Sequence, residues 1–549
     1  MLKLIPLGGL GEIGLNMLAV EYEETIFVLD VGLMFPEDDM LGVDYVIPDM
    51  TYLKQRRDKV AGIVLTHAHE DHIGALPYLL KDVAAPVFGT PFTLGMVRHK
   101  LEAHDLMAIA SLHAIHPRET LKIGPFELEF IRVNHSVVDG VGIAIRTPHG
   151  TVVHTGDFKM SPSSIDGMTT DISKFARLGE EGILALLSDS TNVESKGYTV
   201  SDREIGDRLG RICRRCRGRI IVALFASNIG RIRQIADIAS RRRRKIIFNG
   251  RSIEVSVRIA RELGYLKMPP GMEIEIDELD QYPDEEIIMV TTGSQGEPMS
   301  ALARMAAGTH KQIKIKANDT VILSSKFIPG NEKAIAKIIN DLYRREANVI
   351  YEKIAQVHVS GHAFREELKL MLRLTRPQYF IPVHGEYRHL VLHSRLAAKH
   401  GITRQNILLA QNGQVIAFNE GGGMIRETVP TGRLLIDGKG VGDVGRSVLK
   451  ERRMLSEEGM VVVNMAFDEE TGVIIYGPDV VSKGFVFGTE TGHLLLDAQC
   501  VILEIVDDVP PEVPGRTGII KSRVQTALRQ YFFFTIGRRP VIMPFIVEV

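Results

Sequence analysis

The stretch Gly62-Ile63-Val64-Leu65-Thr66-His67-Ala68-His69-Glu70-Asp71-His72 decides how this chain is read. It opens as the apolar, β-branched run of a buried strand. It then places four potential metal ligands, His67, His69, Asp71 and His72, within six residues. Imidazole and carboxylate suit zinc, and a rigid strand running into a loop holds such ligands in a fixed geometry. In a helix, His67, His69 and His72 would not all face one point, because i and i+2 diverge. In a strand-to-loop turn, His67 and His69 project the same way while Asp71 and His72 turn back, so one short segment serves two metals. The alternative, a chance cluster of surface histidines, fits three imidazoles beside an aspartate poorly.

Outward from this segment, other ligand-type residues occupy the same kind of place. His135 ends FELEFIRVNH, Asp157 ends TVVHTGD and His384 ends YFIPVHG. Taken singly, each reads more readily as an ordinary polar group.

The first 160 residues read as short strands (LKLIPL, TIFVLDV, GIVLTH, PVFGT, FELEFIRVNH, GIAIRT, TVVHTGD) with helical patterns at 72–82 and 91–107. This mixture predicts a strand sandwich flanked by helices. After residue 203 the rhythm changes: helix 203–216, strand 219–225, helix 228–243, strand 245–249, then EEIIMVTTG and TVILSS. Alternation at this spacing predicts a parallel α/β sheet in a separate domain. From 361 the chain resumes helix, strand (YFIPVHG), helix and strands. GKGVGDVG (438–445) reads as a turn or linker, and 458–549 as a small α/β domain with a helix at 515–531.

A chain of 549 residues exceeds one core and implies roughly three or four domains. Apolar residues at 45% and charged residues at 24% match soluble globular proteins, and no run approaches a membrane span. The N-terminus lacks the layout of a secretion signal. Three cysteines form no disulfide framework, which fits a reducing compartment. Cys213 and Cys216 share an apolar helical face with Ile205, Leu209 and Ile212, so buried structural thiols are expected there.

Net charge is −2, yet residues 203–245 hold 14 Lys or Arg against 3 Asp or Glu. One reading is solvated helix faces and helix C-termini, where cations are favoured. The other is a surface for a phosphate backbone, with the insert as one wall of a cleft. The charge count leaves both open.

HAHEDH, followed by His135, Asp157 and His384, resembles the HxHxDH signature of metallo-β-lactamase-fold hydrolases. SDSTN (Asp189), TTGSQGEP (291–298), PGNEKA (329–334) and HVSGHA (358–363) resemble the motifs of the β-CASP nuclease branch. GGLGEIG, FPEDDMLGVDYVIPD and the trailing domain are similar to the bacterial ribonuclease J family, so the resemblance covers essentially the whole chain.

The resemblance implies an α/β fold: an αβ/βα metallo-β-lactamase sandwich in two parts (1–202 and 361–440), a parallel-sheet β-CASP domain inserted at 203–360, a linker at 441–457 and a C-terminal domain at 458–549. It implies two zinc ions, with Mn2+ or Mg2+ as substitutes. His67, His69 and His135 hold one, Asp71, His72 and His384 the other, and Asp157 bridges. Such a pair activates a water for attack on phosphorus and offsets the charge that builds there. His362 is implied to protonate the leaving 3′-oxygen and Asp189 to orient it or a ligand, and Asp71 is counted with these two as catalytic. His358, Val359, Ser360, Gly361 and His362 are implied to hold a substrate phosphate. For Ser360 an N-cap of the helix beginning AFREEL is also open. A structural cation near residues 41–43 and Asp437 is implied from some relatives.

The expected activity is 5′→3′ exonucleolytic hydrolysis of single-stranded RNA from 5′-monophosphate ends, with endonucleolytic cuts, in mRNA decay and rRNA maturation in the cytoplasm. Self-association of the C-terminal domain into a dimer or tetramer, RNA-degradation partners and no membrane contact are implied. Hydrolysis of DNA is the competing reading. A small-molecule hydrolase needs neither a basic insert nor a phosphate loop, and a scaffold would be expected to lose ligands that this chain keeps. Gly9-Leu10-Gly11-Glu12-Ile13-Gly14 fits a dinucleotide fingerprint, but Leu18, Val20 and Tyr22 alternate as a strand where that fingerprint needs a helix. Eleven of the 18 histidines, His154 among them, lie outside the proposed site.

Overall fold

The computed structural model describes residues 1–161, 169–297, 299–327, 331–438, 440–486 and 492–549. Of the quoted motifs, Pro298, Pro329, Gly330 and Lys439 lie outside the described residues. The chain divides into two compact units, Met1–Phe35 with Tyr45–Leu434, and Pro36–Asp44 with Leu435–Val549.

The first unit holds two sheets packed face to face. One has eight strands in the order 422–428, 414–419, Leu2–Gly8, Met17–Tyr22, Thr25–Leu29, Val60–Val64, Val87–Gly89 and Leu112–Ala114. The other has six, in the order Tyr379–Val383, Ala185–Asp189, 150–154, Val141–Thr147, Phe126–Arg132 and Thr120–Ile123. Leu4, Val20, Phe27 and Val64 from the first and Leu128, Ile143, Val152 and Ile381 from the second share one buried core. The outer face of the six-stranded sheet packs Phe175, Leu368, Met371 and Leu396 from three helices. Ala185–Asp189 and Tyr379–Val383 pair in parallel, Ala185 opposite Tyr379, although almost two hundred residues separate them in sequence. The chain between them therefore leaves the sandwich and returns to it.

That excursion carries a five-stranded, wholly parallel sheet in the order Lys245–Asn249, Ile287–Thr291, Ile220–Ala223, Thr320–Leu323 and Asn348–Ile350. Its three central strands are buried throughout, as a parallel sheet covered on both faces requires. Arg219 opens the central strand 1% exposed, with Nε 2.9 Å and Nη2 2.5 Å from the carboxylate oxygens of Asp319. Removing either partner would strand a buried charge at a cost of about 3–5 kcal/mol. Arg244 is also buried, donating to the carbonyls of Cys216, Gly218 and Ile287. Part of the basic excess counted from sequence is thus internal structure, not surface. Cys213 is buried on Asp202–Arg215 as expected, whereas Cys216 is half-buried and Cys500 exposed.

Two expectations need correction. The segment 72–82 is not one helix but two, Glu70–Ile73 and Leu76–Leu80. Gly74 sits between them because any Cβ there would meet the Leu33 side chain. The expected linker 441–457 carries the helix Arg446–Glu458, whose sequence has no glycine or proline.

In the second unit, strands Ile474–Lys483, Met460–Phe467 and Val541–Glu548 form one sheet under the helices Gly492–Asp507 and Arg516–Ile536. The first of these helices was not anticipated, and the second extends the expected 515–531. Val461, Val463, Ile502, Val524 and Phe532 form their common core. Among the described residues, no helix is long and apolar enough to cross a membrane. Asp437 pairs with the Arg452 guanidinium, which also donates to the Leu41 carbonyl at 2.9 Å.

Candidate metal centre

The strand Val60–Val64 ends three residues before His67. His69 then stands at the entry of the one-turn helix Glu70–Ile73, which sends Asp71 and His72 back toward the strand end. His135 and Asp157 each follow their strands by three residues, and His384 directly follows Val383 with φ +54°. All seven ligand-type side chains expected from sequence converge at the same end of the two sheets.

They form two overlapping groups. In the first, the Nδ1 of His69 lies 3.1 Å from the Nε2 atoms of both His67 and His135. Asp157 Oδ2 is 3.7 Å from His67 Nε2 and 3.8 Å from His135 Nε2. In the second, Asp71 Oδ2 is 3.7 Å from His72 Nε2 and 3.4 Å from His384 Nε2. Asp157 Oδ2 stands 3.3 Å from that His72 nitrogen and 3.4 Å from that His384 nitrogen. Tetrahedral ligands about 2.1 Å from a zinc ion lie about 3.4 Å from one another, so both groups match the span such an ion demands. One oxygen, Asp157 Oδ2, belongs to both.

The remaining ring nitrogens are tied in ways that aim a lone pair inward. His135 Nδ1 meets the Gly361 carbonyl at 2.8 Å. His72 Nδ1 meets Asp30 Oδ2 at 2.8 Å. The Thr191 hydroxyl donates to Asp189 Oδ1 at 2.8 Å, which leaves it to accept from His384 Nδ1 at 2.7 Å. Likewise the Thr66 hydroxyl donates to Asp30 Oδ2 and accepts from His67 Nδ1 at 3.0 Å. Partners of this kind fix the tautomer and ring orientation of metal-ligating histidines.

Asp30, Thr66, Thr191 and Asn16, whose amide donates to the Asp71 carbonyl at 3.0 Å, were missed from sequence. A signal existed for Asp30 alone: it closes TIFVLD as Asp157 closes its own strand.

The electrostatics of the two groups differ. Burial, with the neighbouring imidazoles, pushes His67 and His135 well below their ordinary pKa, and burial takes His69 down to about 4. Burial also acts against protonation of His72 and His384, but carboxylates outweigh it. Asp157, Asp71 and Asp30 raise His72 well above 6.5, and Asp157 with Asp71 brings His384 to about 9. Asp71 and Asp157 are buried, yet their histidine neighbours hold them well below the usual carboxylate range.

His362 stands beside both groups, its Nδ1 2.8 Å from Asp189 Oδ2 and 3.9 Å from Asp157 Oδ2. Burial disfavours its charge, but Asp189 raises its pKa nonetheless. Because Nδ1 faces Asp189, Nε2 is the atom free to exchange a proton elsewhere. Ser360 is not a helix N-cap: the helix Arg365–Thr375 begins five residues later, with Glu367 accepting from the Phe364 amide at 2.8 Å. The Ser360 hydroxyl instead accepts from Asn192 Nδ2 at 2.6 Å and from the His362 amide at 3.2 Å. Gly361 is obligatory for a reason not read from sequence, since a Cβ there would lie 2.6 Å from the His135 ring. Val359 is buried and His358 half-buried beside this loop, with desolvation and Arg231 taking His358 down to about 3. His154 donates nothing to either group, its Nδ1 accepting from the Gly156 amide at 3.0 Å.

Comparison with known proteins covers most of the chain. Residues 10–183 match the metallo-β-lactamase superfamily, 217–342 the ribonuclease J β-CASP domain, 346–407 the Zn-dependent metallo-hydrolase RNA specificity domain, and 447–549 the ribonuclease J C-terminal domain. The chain is 41% identical to Ribonuclease J 1 of Streptococcus pyogenes over 98% of its own length and 96% of that protein. It is 40% identical to Ribonuclease J2 of Bacillus subtilis over 100% of its length and 98% of that protein. A solved structure from Enterococcus faecalis, titled as a protein of unknown function, shares the fold with a TM-score of 0.53 at 14% identity, covering 76% of this chain and 99% of that one.

Proposed function

This chain belongs to the ribonuclease J family, and from that premise we propose that it is a zinc-dependent ribonuclease that hydrolyses single-stranded RNA 5′→3′ from monophosphorylated ends and also cuts internally. The observation that carries this reading is the convergence of His67, His69, Asp71, His72, His135, Asp157 and His384, with Asp157 Oδ2 within 3.8 Å of His67 and His135 on one side and of His72 and His384 on the other. The match of residues 346–407 to an RNA specificity domain of zinc-dependent metallo-hydrolases supports RNA over DNA.

His67, His69, His135 and Asp157 would hold one zinc ion, and Asp71, His72, His384 and Asp157 the other, with Mn2+ or Mg2+ as replacements. When bound, such a pair supplies Lewis acidity and an acidified water for in-line attack on phosphorus. The chain's own residues do the rest. His362 carries a proton on Nε2 and delivers it to the leaving 3′-oxygen. Asp189 fixes the ring through Nδ1 and favours its charged form, as a general acid needs. Ser360, with the backbone at Gly361 and His362, grips a substrate phosphate beside that acid, and Asn192 positions the Ser360 hydroxyl. A phosphate held there sets the distance from the 5′ end to the bond that is cut.

The domain boundaries 203–360 and 361–440 are part of this reading, supported by the return of the chain at Tyr379–Val383. A cytoplasmic setting, with roles in mRNA decay and rRNA maturation alongside other RNA-degrading proteins, fits three free thiols. Self-association into a dimer or tetramer through the C-terminal unit is supported by the exposed Ile475, Tyr476, Phe545 and Val547 on its sheet.

The test is digestion of matched RNA and DNA strands, labelled at the 5′ end and carrying mono- or triphosphate, with metal content measured by mass spectrometry. The expected result is release of 5′ mononucleotides from monophosphorylated RNA by protein holding two zinc ions. Equal digestion of DNA, or no dependence on metal, would overturn it.

A further inference from the structure

The exposed arginines of the inserted domain lie away from the metal centre. In a parallel α/β sheet, a helix starts where one strand ends and finishes where the next begins. The helix Ile229–Arg242 starts at Asn228, beyond the C-terminal end of strand Ile220–Ala223. The neighbouring strand Thr320–Leu323 leads at its C-terminal end into Ser324, whose hydroxyl donates to the Val357 carbonyl at 2.6 Å, next to the phosphate loop. That edge of the sheet therefore faces the cleft. Arg211, Arg214, Arg215 and Arg217 lie at and beyond the end of the helix Asp202–Arg215, and residues 241–243 end the second helix. Both helix ends adjoin strand beginnings, at Ile220 and Lys245. Fourteen residues of helix span about 21 Å, so this edge stands roughly that far from the cleft side.

We propose that this far edge is a second RNA-binding surface, taking the phosphate backbone of a strand whose end is held in the cleft. The proposal rests on RNA being the substrate. All seven arginines are exposed and make no ion pair among the described residues. Arg177, Arg258 and Arg453 each pair with a glutamate one helical turn away, whereas Asp207 and Asp237, one turn before Arg211 and Arg241, form no such pair among the described residues. Asp284, Glu285 and Glu286 approach the same edge ahead of strand Ile287–Thr291. Asp284 is taken by Lys316 at 2.7 Å, and the carboxylates left near these helix ends, Glu285 and Glu286 with Asp207 and Asp237, remain fewer than the seven guanidinium groups. A helix C-terminus favours cations, but that does not account for the missing acidic partners.

The chemistry favours nucleic acid over a protein partner. Protein interfaces centre on apolar and aromatic residues with charge depleted at the core, whereas at the helix ends of this edge two exposed large hydrophobic residues, Leu263 and Tyr343, stand against seven arginines. Planar guanidinium groups suit phosphate, and a row of them without a recess suits a backbone rather than base readout.

The test uses the full chain with Arg214→Glu, Arg215→Glu, Arg241→Glu and Arg242→Glu combined, and a second set with glutamine at the same positions. Binding of a long unstructured RNA is measured across salt concentrations, and kcat/KM on a short 5′-monophosphorylated oligonucleotide alongside. Each lost phosphate contact lowers the log–log salt slope by about 0.7, so the glutamate set should flatten it by up to about 3 and weaken long-RNA binding at least about tenfold. The glutamine set should fall between, and short-oligonucleotide turnover should stay within about twofold of the parent. An unchanged slope in both sets overturns the proposal. So does a parallel loss of short-oligonucleotide turnover, which would put these arginines in the cleft, or displacement of long RNA by polyglutamate as effectively as by RNA. Absence of turnover on any RNA by zinc-loaded parent protein would instead sink the substrate reading.

Discussion

The two halves of the metal centre each take two ligands from one short segment and both approach one carboxylate oxygen, yet they are opposite in protonation. His67, His69 and His135 face one another with no carboxylate of their own except Asp157, and burial keeps them neutral. His72 and His384 sit among Asp30, Asp71, Asp157 and Asp189, which hold protons on them against the cost of burial. The first half is a pocket of lone pairs, ready for a cation. The second, without metal, is a network of ion pairs in which a cation must replace protons. Placing acids rather than a third imidazole around a site therefore changes what must leave when metal arrives.

This contrast can be broken most severely at the atom both halves share. Asp157→Ala should strip both cations and lower kcat/KM by about 10^4-fold or more. A variant retaining one full equivalent of zinc by mass spectrometry would show that the first half stands without it. Asp71→Ala touches the second half only. It should abolish cleavage and take zinc from two equivalents toward one, while RNA binding stays within about threefold of the parent because phosphate contacts dominate affinity. Turnover by this variant in metal-depleted buffer would refute the roles assigned.

Acidity sharpens the comparison further. Because His384 titrates near 9 in the metal-free chain, lowering pH from 9 to 7 should weaken the second zinc step by up to about tenfold per unit for each proton displaced. The first step should stay flat over that range, since His69 titrates near 4. Stability carries the matching sign. The folded pKa of His384 lies above the ordinary 6.5, so its contribution is complete below 6.5 and is lost as pH rises through 9. Thermal unfolding of metal-free protein should show that decline, and zinc should remove it. Two pH-independent binding steps would erase the distinction between the halves. The smallest expected effect is that of Asp30→Asn, which loosens His72 without removing a ligand and should cost about 10–100-fold in zinc affinity. Unaltered affinity in a competition titration would deny that His72 needs its carboxylate.

Much of this was legible in sequence, for particular reasons. HAHEDH after an apolar run concentrates ligands in a way few other structures require, and a ligand-type residue closing or soon following each of three more strands marks the same end of the sandwich. The alternation after residue 203 matches the parallel insert because strand and helix periods differ sharply. What was missed depends on contacts across long separations. Asp30 reaches His72 over 42 residues and Thr191 reaches His384 over 193, and neither residue type is unusual at a strand end. A count of basic residues does not separate Arg219, locked to Asp319, from Arg215 in solvent. The helix Arg446–Glu458 hid behind the glycines before it, which drew attention to a turn.

Gly361 joins two tasks that are usually separable. Its carbonyl seats His135 and its bare α-carbon makes room for that ring, while its neighbours in the chain are the ones proposed to grip the substrate's phosphate. Selection for a different choice of RNA end has no freedom at this position, because any larger residue that reshaped the grip would also unseat a ligand. Variation in end preference must therefore come from Ser360 and Asn192, and an engineer seeking a new specificity should leave position 361 untouched.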